Sequence, residues 1–254
     1  MVRGLDKFKE GFRGYEDCYV IIGGTACDLA LEEAGLMARA TKDIDIILVV
    51  EALTPEFGQA IWDFVNDGGY KQRERSPDKL EYFRFLRPDD HTFPAQIEFF
   101  SRKPDLLALP ADAALTPVSF NDGLTSLSAI LMDDRFYNFT IRESDEVDGI
   151  HRARPTALVP LKARAFLNLK ADREKGLPVD ARNILKHKLD VFRLALLLTG
   201  EKVELPGSVR DTMQAFIHEV KDDLPEKNWF SKQVGALEIT PDDVLTQINE
   251  TYNL

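Results

Sequence analysis

The sequence predicts an α+β protein in two parts, a strand-and-helix region over residues 1–154 and a helical region over 155–254. Three observations lead there. Short β-branched runs alternate with helical patterns through the first part. The apolar period then changes to 3.6 near "HRARPTA" (151–157). A chain of 254 residues that is 44% hydrophobic has enough apolar material for two compact units.

The elements follow in order. "DCYVII" (17–22) is rich in β-branched residues and reads as a strand. "TACDLALEEAGLMA" (25–38) reads as a helix, with Ala26, Leu29, Ala30 and Met37 on one apolar stripe. "DIDIILVV" (43–50) is a second strand. Thr54-Pro55-Glu56 caps a helix that runs to about Asn66, where "DGG" ends it. "YKQRER", "EYFRFLR" and "PAQIEFFS" are short strand patterns, and "LTSLSAILMD" and "FYNFTIRE" continue the series. Beyond residue 155, "TALVPLKARAFLNLKADREK" and "DARNILKHKLDVFRLALLLTG" are helical, the second stopped by Gly200. "GSVRDTMQAFIHEVKDDL" and "TPDDVLTQINETY" are two more helices, with Ser208 and Thr240 as caps and Pro241 in a first turn.

Composition excludes several classes. The net charge of −11 argues against a broad nucleic-acid-coating surface, although an acidic chain binds nucleotides where a metal supplies positive charge. No apolar run approaches the length of a membrane span, and the charged N-terminus lacks a secretory pattern. Cys18 and Cys27 are expected as free thiols in a reducing cytoplasm. The histidines, at 91, 151, 187 and 218, have no zinc spacing.

The chemistry concentrates in residues 20–50. Asp43 and Asp45 alternate with Ile44 and Ile46, so both carboxylates share one strand face about 6–7 Å apart. Such a pair repels, and one pKa rises unless a cation compensates. Mg²⁺, which takes oxygen ligands and bridges carboxylates to phosphates, suits the pair. Upstream, Gly23-Gly24-Thr25 leaves one strand and opens a helix. Glycines let backbone approach a ligand, and a helix N-terminus offers N–H groups to an anion. Alone, each feature also fits a solvated strand end or a plain tight turn. Together they form a phosphate-and-metal pattern. Glu98, between Ile97 and Phe99, is the candidate third carboxylate; Asp89 and Asp90 read as a loop.

These residues resemble the nucleotidyltransferase superfamily that includes DNA polymerase β, and within it the AbiEii/MenT-type group. The resemblance rests on "GGT", on Arg39-Ala40-Thr41-Lys42-Asp43-Ile44-Asp45, on "LVPLKARAFLNLKADR" with its Lys162, and on Lys186-His187-Lys188-Leu189-Asp190, where His187 stands in place of the usual aspartate. Residues 20–50 carry most of it, residues 156–198 less, and the last ~50 none. It implies a mixed β-sheet nucleotidyltransferase domain followed by a helical domain, one or two Mg²⁺ on Asp43, Asp45 and Glu98, and a nucleoside triphosphate as substrate. Gly23, Gly24 and Thr25 would hold its phosphates. Arg39, Lys42 and Lys162 would counter its charge, with Lys42 turned away from Asp43 by strand alternation. Lys162 and Asp190 would lie near the nucleotide. Without the resemblance, Asp190 reads as an exposed i, i+4 partner of Lys186.

The expected activity is transfer of a nucleoside monophosphate to an RNA 3′ end, a protein hydroxyl or a small molecule. The resemblance permits a toxin acting on tRNA and paired with an antitoxin. The alternative is a nucleotide-, RNA- or protein-binding module that has lost catalysis. "KQRER" (71–75), Arg87, Arg102-Lys103 and "HRAR" (151–154) form a scattered basic set that reads equally as solvated loops.

Overall fold

The computed structural model describes residues 2–75, 81–101, 116–117, 130, 133–226, 228–233 and 239–254. The "LTSLSAILMD" segment, apart from Ile130 and Asp133, and Arg102-Lys103 lie outside them. The chain is α+β, and its backbone contacts divide it into two units. One comprises residues 1–28, 39–119 and 144–153; the other comprises 29–38, 120–143 and 154–254.

The first unit holds a mixed sheet. Its strands are β1 (Tyr19–Ile22), β2 (Asp43–Leu48), β3 (Gln72–Arg75), β4 (Glu81–Leu86), β5 (Gln96–Ser101), β6 (Thr116–Pro117), β7 (Ser144–Val147) and β8 (Ile150–Ala153). Their spatial order is β6-β3-β4-β5-β2-β1-β8-β7. β1 runs antiparallel to β2, whereas β2 and β5, and β1 and β8, run parallel. One rung crosses four strands: Ile22 faces Asp45, Asp45 faces Glu98, and Glu98 faces Arg84.

The apolar face of the sheet is covered by α1 (Leu5–Gly11) and α3 (Pro55–Asp67). Phe8 and Phe12 meet Tyr19 and Phe64 in edge-on and tilted contacts, and Trp62 meets Phe83 and Phe85 edge-on. Aromatic pairs of this kind add about 0.5–1.5 kcal/mol each beyond burial. Sequence reading passes over α1, although Leu5, Phe8 and Phe12 already sit on one helical stripe. Thr54 caps α3 as expected, its hydroxyl accepting the Phe57 N–H at 3.2 Å.

α2 (Gly23–Glu33) is shorter than its pattern suggests. Gly35 adopts a left-handed φ of 70°, and the Leu36 N–H returns to the Leu31 carbonyl at 2.8 Å. That closure ends the helix. Met37 therefore lies beyond it and is 60% exposed rather than on the apolar stripe.

The second unit is helical: α4 (Asp134–Arg142), α5 (Pro155–Glu174), α6 (Ala181–Ala195), α7 (Gly207–Val220), α8 (Trp229–Gln233) and α9 (Pro241–Tyr252). The expected strand "FYNFTIRE" is α4 instead. Asp133 caps it by accepting the Arg135 N–H, and Phe136, Tyr137, Phe139 and Thr140 are buried at helical spacing. Its aromatic and β-branched residues suit a strand, but the cap and the 3.6 period prevail. "ESDEVDGIHRA", unread in the sequence, becomes the β7–β8 hairpin. Asp148 and Gly149 take φ values of 53° and 72°, which a two-residue hairpin turn requires. Ser208 lies within α7, whose N-cap is Pro206, while Thr240 caps α9 in a complete capping box with Asp243. α6 ends at Ala195, ahead of Gly200.

Candidate functional site

The turn between β1 and α2 is built against β2. Ile22 pairs with Asp45, so the next residue, Gly23, lies over the Asp45 side chain. A Cβ on Gly23 would stand 1.8 Å from Asp45 Oδ2, and the residue takes a φ of 68°. Only glycine meets both conditions. Gly24 is less constrained: a Cβ there would meet the Thr41 side chain at 3.1 Å. The first turn of α2 thus begins beside the Asp43–Asp45 carboxylates. Both aspartates are half-buried, while Ile44 and Ile46 are fully buried on the other face.

Thr25 is fully buried, and its hydroxyl donates to the Asp43 carbonyl at 2.6 Å. The side chain locks helix to strand instead of reaching toward a phosphate; its N–H remains part of the α2 first turn. The Cys27 thiol likewise points inward, donating to the Gly23 carbonyl at 2.8 Å, and both cysteines are free.

Asp28 is a site-building residue that sequence reading missed. It is 2% exposed. Its carboxylate accepts the Arg39 N–H at 3.2 Å, the Thr41 N–H at 3.0 Å and the Thr41 hydroxyl. One helical side chain therefore pins the segment that delivers β2. The available signal was its spacing, four residues after Gly24, one helical turn into α2. Arg39 is half-buried and Lys42 exposed, and the Lys42 carbonyl accepts from Ala95 N–H at the start of the β2–β5 ladder.

Glu98 is adjacent to Asp45 in register and buried. One of its carboxylate oxygens is committed elsewhere. Oε1 accepts from Arg84 Nε at 2.9 Å and from Gln96 Nε2 at 2.7 Å. The Arg84–Glu98 pair is only 9% exposed on each side. Among the described residues, no three His, Cys, Asp or Glu side chains converge closely enough to hold a metal ion. The structure brings Asp43 and Asp45 together on one face, and Glu98 stands next to them with Arg84 as its partner.

In the helical unit, Lys162 on α5 and Asp190 on α6 meet across the helix pair, Nζ to Oδ2 at 3.2 Å, with side chains 9% and 2% exposed. Asp190 is thus a buried interhelical partner, not the surface i, i+4 partner of Lys186. Arg193 approaches the other carboxylate oxygen at 3.8 Å and lies over the Trp229 ring. The neighbouring Lys188 donates to Asp223 at 2.7 Å.

The basic segment around 151–154 is built into the structure. Arg152 is buried, and Arg154 pairs with Glu143 at 2.9 Å. The His151 Nδ1 lies 3.2 Å from the Glu16 carbonyl, which can only accept, so that nitrogen carries the proton; Nε2 then faces the Ser144 hydroxyl at 2.9 Å. Among the described residues, no helix is long and apolar enough to cross a membrane.

No family model matches the chain, and no curated protein matches it. Among solved structures, it is similar to an antigenic nucleotidyltransferase-like protein from Paracoccidioides brasiliensis, at 13% identity and a TM-score of 0.39, over 80% of this chain and 81% of that chain. A likeness of that depth carries no argument, and function has to be read from the residues.

Proposed function

We propose that the chain is a metal-dependent nucleotidyltransferase that moves a nucleoside monophosphate from a triphosphate to an acceptor hydroxyl. The observation that carries this reading is the seat of Asp45 against the Cα of Gly23. It sets helix N–H groups, which suit phosphates, beside a carboxylate pair, which suits a divalent ion. Asp43 and Asp45 would hold one Mg²⁺, a hard cation that suits oxygen donors. When bound, the ion neutralises triphosphate charge and lowers the pKa of the acceptor hydroxyl. The chain supplies positioning, on which phosphoryl-type transfer mainly depends. Gly23, Gly24 and the Thr25 N–H hold the phosphate tail. Thr25 and Asp28 fix the strand that carries the aspartates. Asp45 or Glu98 would take the proton of the acceptor hydroxyl. Arg39 and Lys42 are proposed to counter the triphosphate charge, and Lys162 and Asp190 to serve the nucleotide as a pair.

The acceptor is an RNA 3′ end, tRNA included, a protein or a small molecule. A toxin role with an antitoxin partner is one form of this activity. The deciding experiment incubates the chain with each α-³²P-labelled triphosphate, Mg²⁺, total RNA and cell lysate. Label on one of these pools, lost in Asp43→Ala/Asp45→Ala, supports the reading and names the acceptor.

One observation favours a second reading. Glu98 and the Thr25 hydroxyl are both engaged by the protein itself, as in a binding module without catalysis. Nucleotide binding that needs no metal and survives the double aspartate change would favour that module over the enzyme.

A further inference from the structure

The Ile22–Asp45–Glu98–Arg84 rung has a consequence for how charge is balanced at the site. Asp45 and Glu98 sit on neighbouring parallel strands, whose backbones run about 4.8 Å apart. Two carboxylates at that spacing need a cation between or beside them. In a two-metal site the second ion is that cation, about 3.5–4 Å from the first. Here the fourth strand of the rung brings an arginine. Arg84 pairs in register with Glu98 and donates Nε to its Oε1 at 2.9 Å, while Gln96 binds the same oxygen at 2.7 Å. The pair is nearly dry, at 9% exposure on each side. Drawing Glu98 Oε1 away to ligate a metal would break a buried ion pair and split a three-way hydrogen-bonded group.

We infer that Arg84 takes the place of the second divalent ion, so that the site binds one metal, on Asp43 and Asp45, with a fixed guanidinium as its other positive centre. Arg84 is then a positioning residue that acts through Glu98. This rests on the reading of Asp43 and Asp45 as metal ligands. It differs from the two-ion version of that reading in assigning Glu98 to the arginine.

The test counts Mn²⁺ bound to the full chain by electron paramagnetic resonance, with the metal alone as probe. The wild type should hold one ion per chain, and Glu98→Gln should still hold one. Arg84→Gln frees the carboxylate and should raise the count from one to two. Arg84→Lys keeps the charge and should leave it at one, a pattern that loss of packing alone does not produce. Two ions in the wild type, with one lost in Glu98→Gln, would overturn the inference while leaving the metal site standing. A count of one in a folded Arg84→Gln variant would also overturn it. If the wild type binds no Mn²⁺, or if its single ion survives Asp43→Ala/Asp45→Ala, the reading of the aspartates fails first and the inference with it. Should Arg84→Gln not fold, the Glu98→Gln count decides.

Discussion

Replacing Gly23 with alanine perturbs the site through a single methyl group. The residue sits at φ 68°, a conformation that costs an L residue about 1–2 kcal/mol. The new Cβ would also lie 1.8 Å from Asp45 Oδ2, 2.7 Å from its Cγ and 2.9 Å from its Cβ. Ordinary carbon contacts lie near 3.5–4.0 Å, so the carboxylate has to retreat by more than an ångström or the turn has to open. Misplacement of about 1 Å in a phosphoryl-transfer site costs on the order of 100-fold in rate. Gly23→Ala should therefore lose about 1–3 kcal/mol in urea unfolding and fall by about two orders of magnitude in nucleotidyl transfer, with Mn²⁺ affinity weakened as well. Gly24→Ala is the matched control. The three atoms nearest its Cβ all belong to the Thr41 side chain, the closest at 3.1 Å, and alanine gains about 1 kcal/mol of helix propensity over glycine. It should be near neutral in stability. A Gly23→Ala protein with wild-type metal affinity would refute the argument that this contact shapes the site, whatever its stability.

Three further outcomes follow from the same geometry. Asp28→Ala removes the acceptor of three donors in the 39–41 segment and should cost about 2–3 kcal/mol, seen as a lower urea midpoint at unchanged slope; a loss under 0.5 kcal/mol, the scale of an ordinary surface change, would show that the segment is held by something else. Lys162→Met removes the nearer of two cations from Asp190, which keeps Arg193, and should cost about 1–3 kcal/mol; additive losses in a Lys162→Met/Asp190→Leu cycle would mean the two residues are not coupled. In the α9 capping box, the Thr240 hydroxyl and N–H that donate to Asp243 hold its carboxyl below the ordinary carboxylate range. With the folded pKa below the unfolded one, the contribution is complete above about pH 4 and is lost as pH falls through the folded value; Asp243→Asn should flatten that part of the acid limb in thermal unfolding, and an unchanged limb would remove the box from the account.

The parts legible in the sequence are those whose geometry is local. β1, the glycine turn, α2 and β2 follow from β-branched runs, two glycines and alternation within about 30 residues, and so does the shared face of Asp43 and Asp45. α4 was misread because its aromatic residues satisfy strand preference as well as helix periodicity, and only the Asp133 cap separates the two. The partner of Glu98 was hidden for a different reason. It depends on the β4–β5 register, which sets Arg84 opposite Glu98 and which the connection between the two strands helps to fix. Periodicity also placed Asp190 on a helix surface beside Lys186. Its burial against Lys162 comes from the packing of α5 on α6, which periodicity within one helix does not encode. Thr25 shows a limit of motif reading, since the same residue serves a phosphate site or a strand anchor, and the direction of its hydroxyl decides which.

The position of β1 in the sheet also bears on the order in which the protein is made. Every residue of this strand is at most 1% exposed, yet one of its two edges is closed by β8, where Ile21 meets Arg152. The carboxylate strands have left the ribosome long before that partner exists. A nascent chain, or a fragment cut before residue 144, therefore presents an apolar strand with one row of unpaired backbone groups, the template on which aggregation starts. The β7–β8 hairpin works as a late seal, and chaperone demand should peak in the interval before it is synthesised.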